Sequence, residues 1–241
     1  MILCFAGADG GENYNNLLKK QGAYGRLESY YSLKNKKNSD FNYYLLDSGG
    51  FVARTKGINI NVKDYANYIN KFNIKYVFEL DTNNINETLK NRQYLNKYTK
   101  AIIIPIYHWS DYKEKRYKML DDMIKNYKYI GIGGIAGENI AQKHEKTLYN
   151  FVFNKTRNKI KVHGLGITAK KILKEYPFYS VDSTSWLSMA RYGNSKYYTK
   201  QMQTIKSKKE HYLKNTEKEI IYWLKLEKEI TKLWEKRGIK W

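Results

Sequence analysis

A chain of 241 residues with 42% hydrophobic side chains, 15% aromatic side chains and two prolines can bury a full core, which excludes a disordered tail. One cysteine, Cys4, excludes an internal disulfide and a clustered-cysteine zinc site and fits a reducing cytoplasm; no run of 18 apolar residues is present to span a membrane. The formal charge of +21, from 44 Lys+Arg against 23 Asp+Glu, points to nucleic acid as partner, the competing reading being a lysine-rich surface that is merely solvated.

The segment Met1–Gly7 is apolar but too short, and without the charged leader, for a secretory signal, so a soluble cytoplasmic protein is expected, host-cytoplasmic if phage-encoded. Eight short apolar runs follow one another as candidate strands: Ile2–Gly7, Arg26–Ser32, Tyr43–Asp47, Tyr76–Asp81, Ala101–His108, Tyr129–Ala136, Lys161–Ile167 and Phe178–Asp182. Between them Val62–Phe72, Ile85–Tyr98 and Tyr112–Asn126 carry helical spacing. Alternation of this kind builds a parallel sheet. The count favours one α/β domain, a (β/α)8 TIM-type barrel over residues 1–200, with an open doubly wound sheet as competitor. Neither Gly7-Ala8-Asp9-Gly10-Gly11 nor Gly131-Ile132-Gly133-Gly134 has the form of a dinucleotide or P-loop turn, so neither argues for a nucleotide cofactor. Residues 201–241 are expected as a basic helical segment on the barrel. Lysines crowd Lys206–Lys214, and Ile220, Trp223, Leu224, Ile230, Leu233 and Trp234 then recur at helical spacing.

Three of the apolar runs end in an acid. Tyr43-Tyr44-Leu45-Leu46 leads to Asp47-Ser48-Gly49-Gly50-Phe51, Tyr76–Leu80 leads to Asp81, and Phe178–Val181 leads to Asp182. In a parallel barrel the carboxyl ends of the strands carry the chemistry, which selects Asp47, Asp81, His108 and Asp182 together. For any single aspartate a helix cap or turn is the competing reading, and for His108 and His163 a satisfied structural histidine. No metal centre is expected. Paired carboxylates without metal suit an anomeric carbon, where one acid forms a covalent sugar ester and the other moves protons.

In this order, Leu46-Asp47-Ser48-Gly49-Gly50-Phe51, Gly131-Ile132-Gly133-Gly134-Ile135-Ala136-Gly137, Val162-His163-Gly164-Leu165-Gly166 and Tyr179-Ser180-Val181-Asp182-Ser183-Thr184-Ser185-Trp186 resemble the tRNA-guanine transglycosylase superfamily. Within it the chain looks like the short phage-type DNA guanine transglycosylases related to DpdA. The resemblance extends from Phe5-Ala6-Gly7 to Arg191-Tyr192-Gly193. It implies base exchange: guanine in DNA is replaced by a 7-deazaguanine, such as 7-cyano-7-deazaguanine, with no cofactor. Carried over by position, Asp182 is the nucleophile at C1′, Asp47 the general acid/base, Phe51 the ring that stacks on the base and Asp81 the acceptor of its N–H edge. The turn residues Ser48, Gly49, Gly133 and Gly134 then approach the base.

Two departures mark this chain. His108 stands where the tRNA enzymes usually have glutamine and His163 where an apolar residue is common, which implies a pocket for a differently substituted base. The zinc module that follows the nucleophile strand in those enzymes is missing, which favours the DNA-modifying branch. A DNA substrate must present an unstacked nucleotide, with Lys34, Lys36, Lys37, Arg191, Lys196 and Lys200 as candidate backbone contacts. The alternatives are the same exchange on tRNA, a non-catalytic nucleic-acid-binding barrel, and a metal-dependent barrel hydrolase.

Overall fold

Pro105 decides how the sheet closes. In the computed structural model, which describes residues 1–33, 36–134, 142–157, 159–188 and 212–240, the strands are β1 (Ile2–Ala6), β2 (Gly25–Ser29), β3 (Tyr43–Asp47), β4 (Tyr76–Phe78), β5 (Ile102–Ile104), β6 (Ile106–His108), β7 (Tyr129–Gly133), β8 (Lys161–Gly164) and β9 (Ser180–Ser183). They form one sheet in the order β5-β4-β3-β2-β1-β9-β8-β7-β6. Its two outermost members are halves of a single run broken only by Pro105. β5 pairs in parallel with β4 and β6 in parallel with β7, so the run 102–108 joins the two edges and the sheet is a parallel α/β barrel.

The break has a chemical cause. Proline carries no N–H and fixes φ, so the ladder cannot run through residue 105. The neighbouring Ile106 N–H turns instead to the carboxylate of Glu79, 2.6 Å to Oε1, while Glu79 N–H still donates to Ile104 O at 3.1 Å. Arg92 holds that carboxylate from outside through Nε–Oε2 at 2.6 Å and Nη2–Oε1 at 3.0 Å. A buried ion pair thus substitutes for the missing rung. It also ends β4 at Phe78, short of the Asp81 that the sequence leads one to expect.

Strand alternation divides the core. Cys4, Ala6, Leu27, Tyr43, Leu45, Phe78, Ile104, Ile106 and Tyr129 form one buried cluster inside the barrel, while alternate residues such as Phe5, Leu46, Val77 and Ile130 pack outward against the helices.

The helices are α1 (Glu12–Lys20), α2 (Tyr30–Leu33), α3 (Gly50–Thr55), α4 (Val62–Lys71), α5 (Ile85–Tyr98), α6 (Trp109–Lys113), α7 (Tyr117–Asn126), α8 (Gln142–Thr156), α9 (Lys170–Glu175) and α10 (Tyr212–Lys236), with a 3-10 turn at Ser185–Leu187. Asn61 and Asn84 start α4 and α5 by accepting N–H bonds from the first helical turn. Two further expected elements differ. The run Arg26–Ser32 leaves the sheet at Ser29 and turns into α2, and the expected helix 112–126 is two helices. Lys115, at φ +57, breaks it, and Arg116 folds back to Asp111 at 2.7 Å.

α10 docks its apolar stripe on the barrel. Ile220, Trp223, Leu226, Ile230 and Trp234 are buried in the largest core cluster, and Leu224 and Leu233 are partly buried. Trp234 Nε1 donates to Leu173 O at 2.8 Å, and Glu227 Oε1 accepts from Leu3 N at 2.8 Å. No described helix is long and apolar enough to cross a membrane.

Candidate active site at the carboxyl end of the barrel

Asp47 closes β3, and the turn behind it is built to hold its carboxylate. Gly49 lies at φ +75 and donates its N–H to Asp47 Oδ2 at 2.8 Å, and Gly50 N–H donates to Ser48 Oγ at 3.2 Å as α3 begins. A side chain at Gly49 would run into Ser29 Oγ and Tyr31 Cβ, so both the φ angle and the space demand glycine there. Burial pushes the Asp47 carboxyl up to about 7; the nearby negative charges of Asp81 and Asp182 add to this, and the Gly49 hydrogen bond opposes it. Phe51, in the first turn of α3, is 64% exposed, the highest of the exposed large hydrophobic residues among the described residues.

Asp81 follows β4 and sits in a cationic clamp. His108 Nε2, at the end of β6, is 3.3 Å from Asp81 Oδ2, and Arg54 Nη2 of α3 is 3.4 Å from the same oxygen. Arg54 Nη1 also donates to Asp81 O. Burial works to raise the Asp81 carboxyl, but the hydrogen bond and charge of His108, with Arg54, outweigh it and hold the acid below its ordinary value. Burial likewise works to lower His108, and the bond and charge of Asp81 raise it above the usual imidazole value. Both shifts favour the charged form of the pair, and the Asp81 carboxyl is held from both sides.

The glycines of β7 make room for that histidine. A Cβ on Gly133 would stand 2.9 Å from Ile106 Cγ2 and 3.2 Å from two His108 ring atoms; Gly134, at φ +77, would bring one to 3.2 Å from Trp109 N. A side chain at Gly133 would crowd the His108 ring, whereas at Gly134 the obstacles are the left-handed φ and the Trp109 backbone.

Asp182 lies within β9, and both of its contacts among the described residues fall on Oδ1: Gly166 N–H at 2.8 Å and His163 Nε2 at 3.2 Å. His163 is fully buried one strand away in β8. Its other nitrogen, Nδ1, is 2.6 Å from Ser180 Oγ. The expected role of His163 as a direct contact to a base thus meets a side chain that lies beneath Asp182 with both nitrogens engaged. β2 and β1 separate β3 from β9 in the sheet, yet the Asp182 charge acts on Asp47.

Several neighbours were not evident from the sequence. Arg54 stands one turn beyond Phe51, and only its place on the helix after the Asp47 turn hints at it. Arg26 and Glu28 alternate on the outward face of β2 and pair at 3.2 Å, both buried. Asp9 joins them 3.9 Å from Arg26. Burial raises the Asp9 carboxyl against the pull of Arg26, and its charge adds slightly to that of the acids around Asp47. Two lone charges at i and i+2 in an apolar strand were the available signal.

Of the candidate phosphate contacts, Lys36 and Lys37 are exposed. Lys34, Arg191, Lys196 and Lys200 lie outside the described residues, as do Ile135, Ala136 and Gly137 of the glycine motif. Among the described residues no group of three or more His, Cys, Asp or Glu side chains is placed to hold a metal ion.

No family model matches the chain. It is similar to a protein of Sulfolobus islandicus rod-shaped virus 1 named "Uncharacterized protein 306", at 28% identity over 204 residues, which is 79% of this chain. The matched region is 64% of that viral protein, so the chain spans less than two thirds of its relative.

Proposed function

We propose that this chain is a base-exchange transglycosylase that replaces guanine in DNA with a 7-deazaguanine through a covalent Asp182 intermediate. The observation that carries the reading is the placement of Asp47 at the end of β3, held by the Gly49 N–H, with Asp81 just beyond β4 and Asp182 in β9 near enough for their charges to reach it; with burial they push its carboxyl up to about 7. A carboxyl poised near neutrality can both give and take a proton at working pH, and it needs a second, ionised carboxylate nearby to serve as nucleophile.

In the first half-reaction an Asp182 carboxylate oxygen bonds to C1′ as the C1′–N9 bond breaks, and the departing guanine takes the Asp47 proton. In the second, N9–H of the incoming base gives its proton to Asp47, N9 bonds to C1′, and the Asp182 ester bond breaks. Charge builds on the sugar in both steps, and a fixed carboxylate stabilises it before it bonds. The exposed Phe51 ring offers a stacking face for the base, and Asp81, clamped by His108 and Arg54, offers an acceptor for its N–H edge.

The test is exchange of labelled guanine into DNA and into tRNA by the purified protein. Wild type is expected to label DNA, while Asp182→Ala loses both labelling and the covalent enzyme–nucleic acid adduct seen on a denaturing gel. Labelling of tRNA alone would move the same chemistry to that substrate. Full activity of Asp182→Ala would leave a binding barrel whose acids cap loops.

A further inference from the structure

Below Asp182 a line of buried hydroxyls crosses the interior of the barrel. Tyr43 OH of β3 donates to Tyr129 OH of β7 at 2.9 Å; Tyr129 OH is hydrogen-bonded to Ser180 Oγ of β9; Ser180 Oγ is 2.6 Å from His163 Nδ1; and His163 Nε2 meets Asp182 Oδ1 at 3.2 Å. Ser180 and His163 are wholly inaccessible, and both tyrosines are buried. Strand register brings the central pair together, since His163 of β8 is the parallel partner of Ser180 of β9. A barrel interior is ordinarily filled with apolar side chains, and burying four polar groups there is costly unless each is satisfied. Here each one is.

The direction of the protons follows from what each group can do. The nucleophile role proposed above requires an ionised Asp182, whose carboxylate only accepts, so on that reading Nε2 of a neutral His163 carries the proton toward it. A neutral ring then has a bare Nδ1, which must accept from Ser180. The Ser180 hydroxyl, its proton committed, accepts from Tyr129, and Tyr129 accepts from Tyr43. Burial raises both phenols well above their ordinary values, which keeps them protonated as donors. Every proton in the line points the same way, toward the Asp182 carboxylate.

We propose that Ser180 and Tyr129, backed by Tyr43, are positioning residues that lock His163 in its Nε2–H tautomer and thereby fix the orientation of the Asp182 carboxylate. Together with Gly166 N–H, this anchors Oδ1 and presents Oδ2 as the oxygen that bonds to the sugar, an assignment that rests on the transglycosylase reading above. The logic is that of an outer group setting the ring nitrogen that bears the proton. The device touches no substrate.

Two measurements on the full chain test it. Nitrogen-15 NMR of the imidazole, assigned with His163→Asn, reads the tautomer directly; in wild type the Nε2–H form alone is expected, and in Ser180→Ala a mixture with the Nδ1–H form. Steady-state exchange should then show kcat lowered about 10–100-fold in Ser180→Ala and less in Tyr129→Phe, with KM for the base unchanged. Tyr129→Phe keeps the ring and its packing, so it supplies the answer should Ser180→Ala fail to fold. An unaltered tautomer in both variants, or an unaltered kcat with a shifted tautomer, overturns the proposal. Absence of exchange in wild type would overturn the functional reading, and the tautomer measurement would still decide whether the line of hydroxyls governs His163.

Discussion

Asp47 carries a cost that should be measurable without any substrate. Its carboxyl lies at about 7 in the folded chain because burial and the charges of Asp81 and Asp182 disfavour the ionised form, against an ordinary value of 3.8. The folded state therefore holds this proton more tightly than the unfolded chain does. That contribution to stability is complete below the unfolded value and is lost as pH rises through about 7. The shift corresponds to an upper bound of roughly 4 kcal/mol, and relaxation of the site should leave on the order of 2 kcal/mol. Asp47→Asn keeps an acceptor for Gly49 N–H and never ionises. Urea denaturation should find it more stable than wild type by about 2 kcal/mol at pH 8 and equal to it near pH 4, while exchange is lost. A variant less stable than wild type at pH 8 would remove the strain assigned to Asp47. At this scale the sequence was informative about Asp47, Asp81, His108 and Asp182, because each ends or nearly ends an apolar run. It was silent on His163 as a partner of Asp182 and of Ser180, since that pairing depends on the register of β8 against β9, which no local pattern encodes.

Among the elements, seven of the eight apolar runs match strands to within a few residues, and the exception explains itself through one residue pair. Ala101–His108 reads as a continuous strand apart from a proline, and Glu79 reads as one more strand position; their connection is visible only when β4 and the 102–108 run lie side by side. Glu79 is wholly buried, accepts from Ile106 N and pairs with Arg92, yet burial still raises its carboxyl. Removing one partner leaves an uncompensated charge inside the protein. Glu79→Ala is accordingly expected to cost about 3–5 kcal/mol in chemical denaturation, and Glu79→Met combined with Arg92→Met to recover much of that loss. If the single variant costs no more than a surface change, the strand is held across Pro105 by something else. The same lesson applies at Lys115. Apolar spacing over 112–126 predicts one helix, but the left-handed residue and the Arg116–Asp111 bridge, neither of them a periodic signal, divide it.

For the molecule as a whole, the proposed function poses the problem of how a mouth lined by carboxylates would accept a polyanion. Asp47, Asp81 and Asp182, with Asp9 nearby, make a local negative field in a chain whose net charge is +21. Among the described residues, Arg54 and His108 offset it at short range and both are engaged with Asp81, while Arg26 stands 3.9 Å from Asp9. On the proposed function the attraction for phosphate would come from the excess lysines and arginines, and such contacts weaken linearly in the logarithm of salt concentration as counterions return. The proposed chemical step, between groups already fixed inside the barrel, would have no such dependence. Raising salt from 50 to 200 mM should therefore weaken DNA binding by about 10³-fold if six or more phosphates are engaged, while kcat at saturating DNA changes little. Filter binding and exchange assays run side by side at the two salt concentrations separate the two effects. Affinity that does not change with salt would mean that the excess lysines face water and that the barrel grips its substrate by the unstacked base alone.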